Sequence, residues 1–264
     1  MQYGIIKASP KIFYMDKKKV EKNLTFPHQL GLPDGPSLKD EDIEVVLCEL
    51  ESDSKNLSLI RDLKKEGKIV LGIGLLPFIA MGEDVIRDSL ERAMQLQQST
   101  DGCLLLNKEA ILTQRSLSFD EVENFVNTIV LNIEEGLQDI LLPGYINNIE
   151  SQTLRDVLKD CDTFWIARGK GNGQGRINKA LSEAVDQLAT QGFDVQSAHK
   201  LIVKVIVSEH TELQLKEINE INEIEKFISS LSHNIDVIFG VSNSESEEKI
   251  LEIVMLATAM DVVM

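Results

Sequence analysis

The sequence predicts an α/β protein in two units: a truncated, Rossmann-like parallel-sheet unit, and a smaller α/β unit with a mixed four-stranded sheet, joined by a long helix. Three observations carry this reading. Short apolar runs of strand length recur along the chain, segments with apolar residues at helical spacing separate them, and one amphipathic stretch is long enough to link two units. At 264 residues the chain is also long for one core, because cores beyond roughly 250 residues tend to split.

Val45–Leu50 and Ile69–Leu76 are apolar without alternation, the pattern of strands covered on both faces of a parallel sheet. Between them Leu57, Ile60, Leu63 and Lys64 recur at helical spacing, predicting a helix from Ser54 to Glu66 that Gly67 stops. Strand, helix, strand implies a crossover connection. The unit repeats with a helix from Gly82 to Gln98, its Val85, Leu90, Met94 and Leu96 expected inward, and a third strand at Gly102–Leu106. Gly72-x-Gly74 lacks a third glycine and a helix directly after it, so it makes no dinucleotide fingerprint.

A longer helix is predicted from Ser118 to Leu142, with Phe119, Val122, Phe125, Val126, Ile129, Val130, Ile133 and Leu137 in one wide apolar stripe. Pro143-Gly144 breaks it. A short helix at Ser151–Lys159 then leads to a strand at Thr163–Ala167 and a glycine-rich turn at Gly169–Gly175. That turn invites a phosphate-loop reading, with ordinary loop punctuation as the alternative. A helix at Arg176–Gln191, a strand at Leu201–Val207, an acidic helix at Leu213–Leu231 and strands at Ile235–Phe239 and Ile250–Thr258 complete the second unit.

Composition narrows function. With 27 Lys and Arg against 43 Asp and Glu, the net charge of −16 repels phosphate backbones, and no basic cluster makes a local exception, so nucleic-acid binding is not expected. No apolar run reaches the roughly 18 residues of a membrane span, and no basic start followed by an apolar stretch marks the N-terminus for secretion, so a cytoplasmic location is expected. Cys48, Cys103 and Cys161 lie far apart in apolar surroundings and read as reduced core thiols, without metal-ligand spacing. His28, His199, His210 and His233 are scattered, and no Gly-x-Ser-x-Gly elbow or His-x-x-x-His pair supplies a catalytic set.

Four colinear stretches carry a resemblance. Leu71-Gly72-Ile73-Gly74-Leu75-Leu76-Pro77-Phe78, Asp101–Leu112, Pro143-Gly144-Tyr145-Ile146-Asn147-Asn148 and Asn234–Gly240 together are similar to the FtsZ/tubulin family of cell-division GTPases over about residues 43–260. Gly173-Gln174-Gly175-Arg176 likewise resembles a structural turn of that family's activation domain. The resemblance implies a truncated GTPase-like domain at 1–117, a connecting helix at 118–142 and an activation-type domain at 143–264.

It also implies what is altered. The family wraps nucleotide phosphates in a glycine-rich loop, because backbone N–H groups approach closely where no Cβ intervenes. That place here holds Glu49-Leu50-Glu51-Ser52-Asp53-Ser54-Lys55-Asn56, three carboxylates and no glycine. The family's first strand and its own glycine loop are expected to be absent or rebuilt within Tyr3–Tyr14.

Asn127 falls where the family reads guanine's edge, the alternative being an ordinary polar residue on an outer helix face. Asn147, Asn148 and Glu150 fall in the loop that meets the next subunit. Glu150 is the candidate for the first of two water-positioning aspartates, and Gln152 or Thr153 replaces the second without a charge.

The resemblance therefore implies a protein that has lost GTP hydrolysis and acts through protein contacts, stacking head to tail on itself or on a family filament, with no cofactor. The alternative is a divergent GTPase that binds GTP or GDP with Mg and polymerises. A third reading, a small-molecule binder using the carboxyl ends of the strands, rests on fold analogy. The sequence stops soon after its last strand, without the family's linker to membrane anchors, so direct membrane insertion is not expected.

Overall fold

The computed structural model describes residues 12–13, 43–51, 56–159, 161–208, 216–244 and 250–260. They pack as two units, one running to Thr128 and taking in Leu158–Asp162, the other comprising Ile129–Val157 and Thr163 onward.

In the first unit β1 (Ile12–Phe13), β2 (Ile43–Glu49), β3 (Ile69–Leu76) and β4 (Gly102–Asn107) lie side by side in chain order, all parallel. Within Tyr3–Tyr14, where the first strand was expected to be absent or rebuilt, the described residues Ile12 and Phe13 pair with Val45 and Val46. Helices α1 (Asn56–Lys65), α2 (Glu83–Ser99) and α3 (Lys108–Arg115) follow successive strands, and α4 (Phe119–Ile140) crosses the boundary between units after Thr128.

β3 is buried along all but its last residue, which is why its sequence shows no alternation. One face of the sheet carries Val46, Cys48, Leu50, Val70 and Cys103 against Ile60 and Leu63 of α1 and Ala93 and Leu96 of α2. Each of Leu50, Ile60 and Leu96, at most 1% exposed, contributes about 2 kcal/mol of burial. All three cysteines are buried, and burial pushes the Cys103 thiol up, away from a reactive thiolate.

The face that α2 buries differs from the expected one. Leu96 points inward as expected, but Leu90 and Met94 are exposed, and Ser89 and Ala93 are buried in their place. The cause lies on β3, whose glycines leave room for Leu96: an added Cβ would lie 3.1 Å from Leu96 on Gly72 and 3.2 Å from it on Gly74. Leu96 seated over these glycines turns Ser89 and Ala93 inward with it, and Ser89 satisfies its hydroxyl on the Leu50 carbonyl at 3.0 Å. α3 was not expected; Asn107 opens it by accepting from the Ala110 N–H at 3.1 Å.

The second unit contains β5 (Gly144–Ile146), α5 (Ser151–Leu158, whose last residue falls in the first unit), β6 (Thr163–Gly171), α6 (Arg176–Thr190), β7 (Lys200–Ser208), α7 (Lys216–Ser230), β8 (Asp236–Ser244) and β9 (Leu251–Ala259). The sheet has five strands in the order β5-β8-β7-β9-β6, where four were expected; the addition is β5, a three-residue edge strand after Pro143. It is mixed, with β7 and β8 parallel and the other neighbours antiparallel. β6 also runs on through Gly169–Gly171, residues expected to begin a turn.

The apolar stripe of α4 is buried at Val122, Val126, Ile129, Val130, Ile133 and Leu137 and continues to Ile140, but Phe119 is 55% exposed. In the second unit the far end of α4 is held from β7. Lys204, fully buried, donates from Nζ to the Leu142 carbonyl at 2.8 Å, and Ser242 Oγ donates to the same oxygen at 2.9 Å. Burial lowers the Lys204 pKa from 10.5 to about 8, against a smaller raising pull from Asp139.

Between these two values the unfolded chain holds a proton that the folded one has released, so stability rises with pH. The gain is at most about 3 kcal/mol across that window. Lys204→Met is expected to flatten the rise in denaturation midpoint over the same window, and a constant difference between variant and wild type would contradict the assignment.

Candidate functional site in two separate parts

In the second unit, the predicted contact residues sit on the connection from β5 to α5. Gly144 pairs with Ser242 and Ile146 with Val241 of β8. Asn147 then turns the chain in the left-handed region (φ 48°), a conformation asparagine tolerates better than most residues. Asn148 Oδ1 accepts from the Gly144 N–H at 2.9 Å and closes the turn. Ile149, 2% exposed, anchors it, and Gly240 of β8 leaves the room: an added Cβ there would lie 2.7 Å from the Asn147 carbonyl oxygen.

The consequence is a pinned loop that presents Asn147, Asn148 and Glu150 to solvent. The Glu150 carbonyl accepts from Leu154 and so opens α5, leaving its carboxylate at the helix's amino end, where negative charge is favoured. Such a carboxylate can accept a hydrogen bond from a water or from a partner's donor. Gln152 is exposed but spends its amide on Asp156 at 2.8 Å, and Thr153 is half-buried.

In the first unit, Asn127 is exposed on α4. Glu123, one turn earlier, pairs with the buried Lys108 at 2.9 Å, so the surface just before Asn127 carries a carboxylate held by an ion pair. The turn after β2 is occupied by the chain itself. The Leu50 N–H donates to the Leu75 carbonyl at 3.1 Å, its side chain is in the core, and its carbonyl accepts from Ser89 Oγ and, at 2.8 Å, from Arg92. Residues 52–55, also part of the expected site, lie outside those described.

Sequence reading missed the charged cluster of the second unit. Arg168 of β6 lies between Asp139 and Glu252, bonding Glu252 at 2.7 Å and Asp139 directly, with Glu135 at 3.7 Å. Burial pushes the Asp139 carboxyl above its ordinary value, opposed by Arg168, and Arg168 itself is held above its own by the surrounding carboxylates despite its burial. The only sequence signal was an arginine placed one residue beyond a predicted strand. Among the described residues no group of His, Cys, Asp or Glu side chains could hold a metal ion, and no helix is long and apolar enough to cross a membrane.

No protein-family model matches the chain. Cell division protein FtsZ of Porphyromonas gingivalis is 23% identical over 194 residues, covering 73% of this chain and 42% of that protein, and FtsZ of Aquifex aeolicus is 21% identical over 202 residues, covering 76% and 54%. The chain thus spans about half the length of these relatives. Among solved structures, an empty FtsZ dimer from M. jannaschii matches with a TM-score of 0.67 and 20% identity over 83% of this chain and 64% of that one. CetZ from Methanosaeta thermophila matches with a TM-score of 0.60 and 16% identity over 83% and 61%. The chain is thus similar in sequence to FtsZ proteins over about three quarters of its length, and it shares the fold of the FtsZ and CetZ structures.

Proposed function

We propose that this chain is a tubulin-like cell-division protein that acts through protein contacts rather than by hydrolysing GTP, docking head to tail through Asn147, Asn148 and Glu150 onto a family filament or a copy of itself. The observation that carries the reading is the turn after β2. Where the family's glycine loop would wrap phosphates, this chain has Glu49, Leu50 and Glu51, with the Leu50 N–H spent on Leu75 and its side chain in the core. An amide already bonded inside the sheet offers nothing to a phosphate, and the flanking carboxylates repel one. In the second unit the pinned loop keeps a protein-facing surface.

The reading is tested by titrating the purified chain with a fluorescent GTP analogue and Mg, with phosphate release and sedimentation followed in the same samples. No saturable binding and no release are expected. Saturable binding, or release that Glu150→Ala abolishes, would establish the second reading, a divergent GTPase using GTP or GDP with Mg. That reading is favoured by the exposure of Asn127 and of Glu150.

A further inference from the structure

The carboxyl ends of β3 and β4 in the first unit carry an exposed apolar patch. Ile79 is 67% exposed, Met81 51% and Phe119 55%, far more than residues of this kind show in a core. They are one patch: Phe78 meets Phe119 edge to face with ring centroids 4.7 Å apart, and Ile79–Met81 forms a single helical turn directly after Phe78. Its backbone is held in place, with the Met81 N–H on the Phe78 carbonyl at 3.0 Å and the Ile79 N–H on Glu109 Oε2 at 3.2 Å.

The rim of the patch is acidic. Glu83 and Asp84 lie in the first turn of α2, Glu109 in that of α3, and Asp120 and Glu121 in that of α4. Helix amino ends at the carboxyl edge of a parallel sheet ordinarily attract anions, but here each carries its own carboxylates, which satisfy the dipoles and repel a second negative charge. Glu121 is committed in this way: its Oε2 accepts from the Ser118 N–H at 2.8 Å and from Ser118 Oγ at 2.7 Å. Among the described residues Arg87 is matched to Asp84 at 2.9 Å, and the buried Lys108, 5.8 Å from the Phe78 ring centre, to Glu123. A rigid apolar centre inside a negative rim fits a ligand with apolar anchors and positive flanks.

We infer that Ile79, Met81 and Phe119 form a docking surface for a basic amphipathic segment of another protein. Phosphates and acidic lipid surfaces meet repulsion at this rim. The inference goes beyond the proposed function and stands on exposure and charge in the first unit alone, so its failure says nothing about GTP.

The test uses the whole chain and two labelled peptides, a Lys/Leu amphipathic helix and its Glu/Leu counterpart, read by fluorescence anisotropy. Wild type is expected to bind the Lys/Leu peptide and not the other. The pair Ile79→Ser and Met81→Ser, which leaves net charge unchanged and touches exposed side chains, is expected to weaken that binding by roughly tenfold or more at an unaltered melting temperature. Absence of saturable binding by wild type, or an unchanged affinity in the double variant, overturns the proposal. So does self-association of wild type that the same two substitutions abolish, since the occupant would then be a second copy.

Discussion

Gly169→Ala is expected to destabilise the second unit by about 3 kcal/mol or more, read as a fall in the urea midpoint. A Cβ at Gly169 would overlap the Ala180 carbonyl, and one at Gly171 the Arg176 carbonyl; both obstacles are backbone of α6, which cannot rotate aside. Gly171→Ala should therefore cost as much. Gly173 has open space around its absent Cβ, and its φ of 64° alone sets the penalty, so Gly173→Ala should cost about 1 kcal/mol. This ranking separates two roles for one glycine-rich stretch. Glycines that seat a helix on a strand cost most where backbone is nearest; glycines that cradle a ligand would leave the empty chain's stability nearly untouched. Equal and small losses at Gly169 and Gly173 would reopen the phosphate reading.

Arg168→Met is expected to cost about 3 kcal/mol near neutral pH, because it leaves Asp139 and Glu252 partly buried without their cation. The sign of its pH dependence is a sharper check. Burial already lifts the Asp139 carboxyl and Arg168 opposes that lift, so in the variant the folded chain takes up a proton at a higher pH than the unfolded chain does. The deficit should then shrink as pH falls through the carboxylate range. A deficit that grows on acidification would mean that Arg168 acts by packing its stem and not by pairing.

The β–α alternation of the first unit was legible because strands buried on both faces need unbroken apolar runs, and Ile69–Leu76 has one. The long stripe of α4 was legible for a similar reason. The inward face of α2 was not, since Leu90 and Met94 satisfy helical spacing as well as Ser89 and Ala93 do; the choice is made by Gly72 and Gly74 on another element. Phe119 misled because at the first residue of the helix it meets the edge of Phe78 but stays 55% exposed. Short elements left little periodicity to read: α3 has eight residues, and its start is marked by the Asn107 cap alone. Of the candidate site, loop residues Asn147, Asn148 and Glu150 could be placed from sequence, but the pinning of that loop by Ile149 and Gly240 depends on contacts between distant segments.

The position of β9 bears on how the second unit is made. It lies between β7 and β6, hydrogen-bonded along both sides, and Leu251 and Ile253–Ala259 are buried. Among the described residues β6, which begins more than 80 residues earlier, has no other neighbour in the sheet. While the chain is being synthesised, β6 and α6 can associate with each other, but the sheet stays open until Leu251–Ala259 emerges. Because β9 follows all of its neighbours in the chain, closing the sheet is a late, long-range step that leaves the exposed edges of β6 and β7 to be shielded until then.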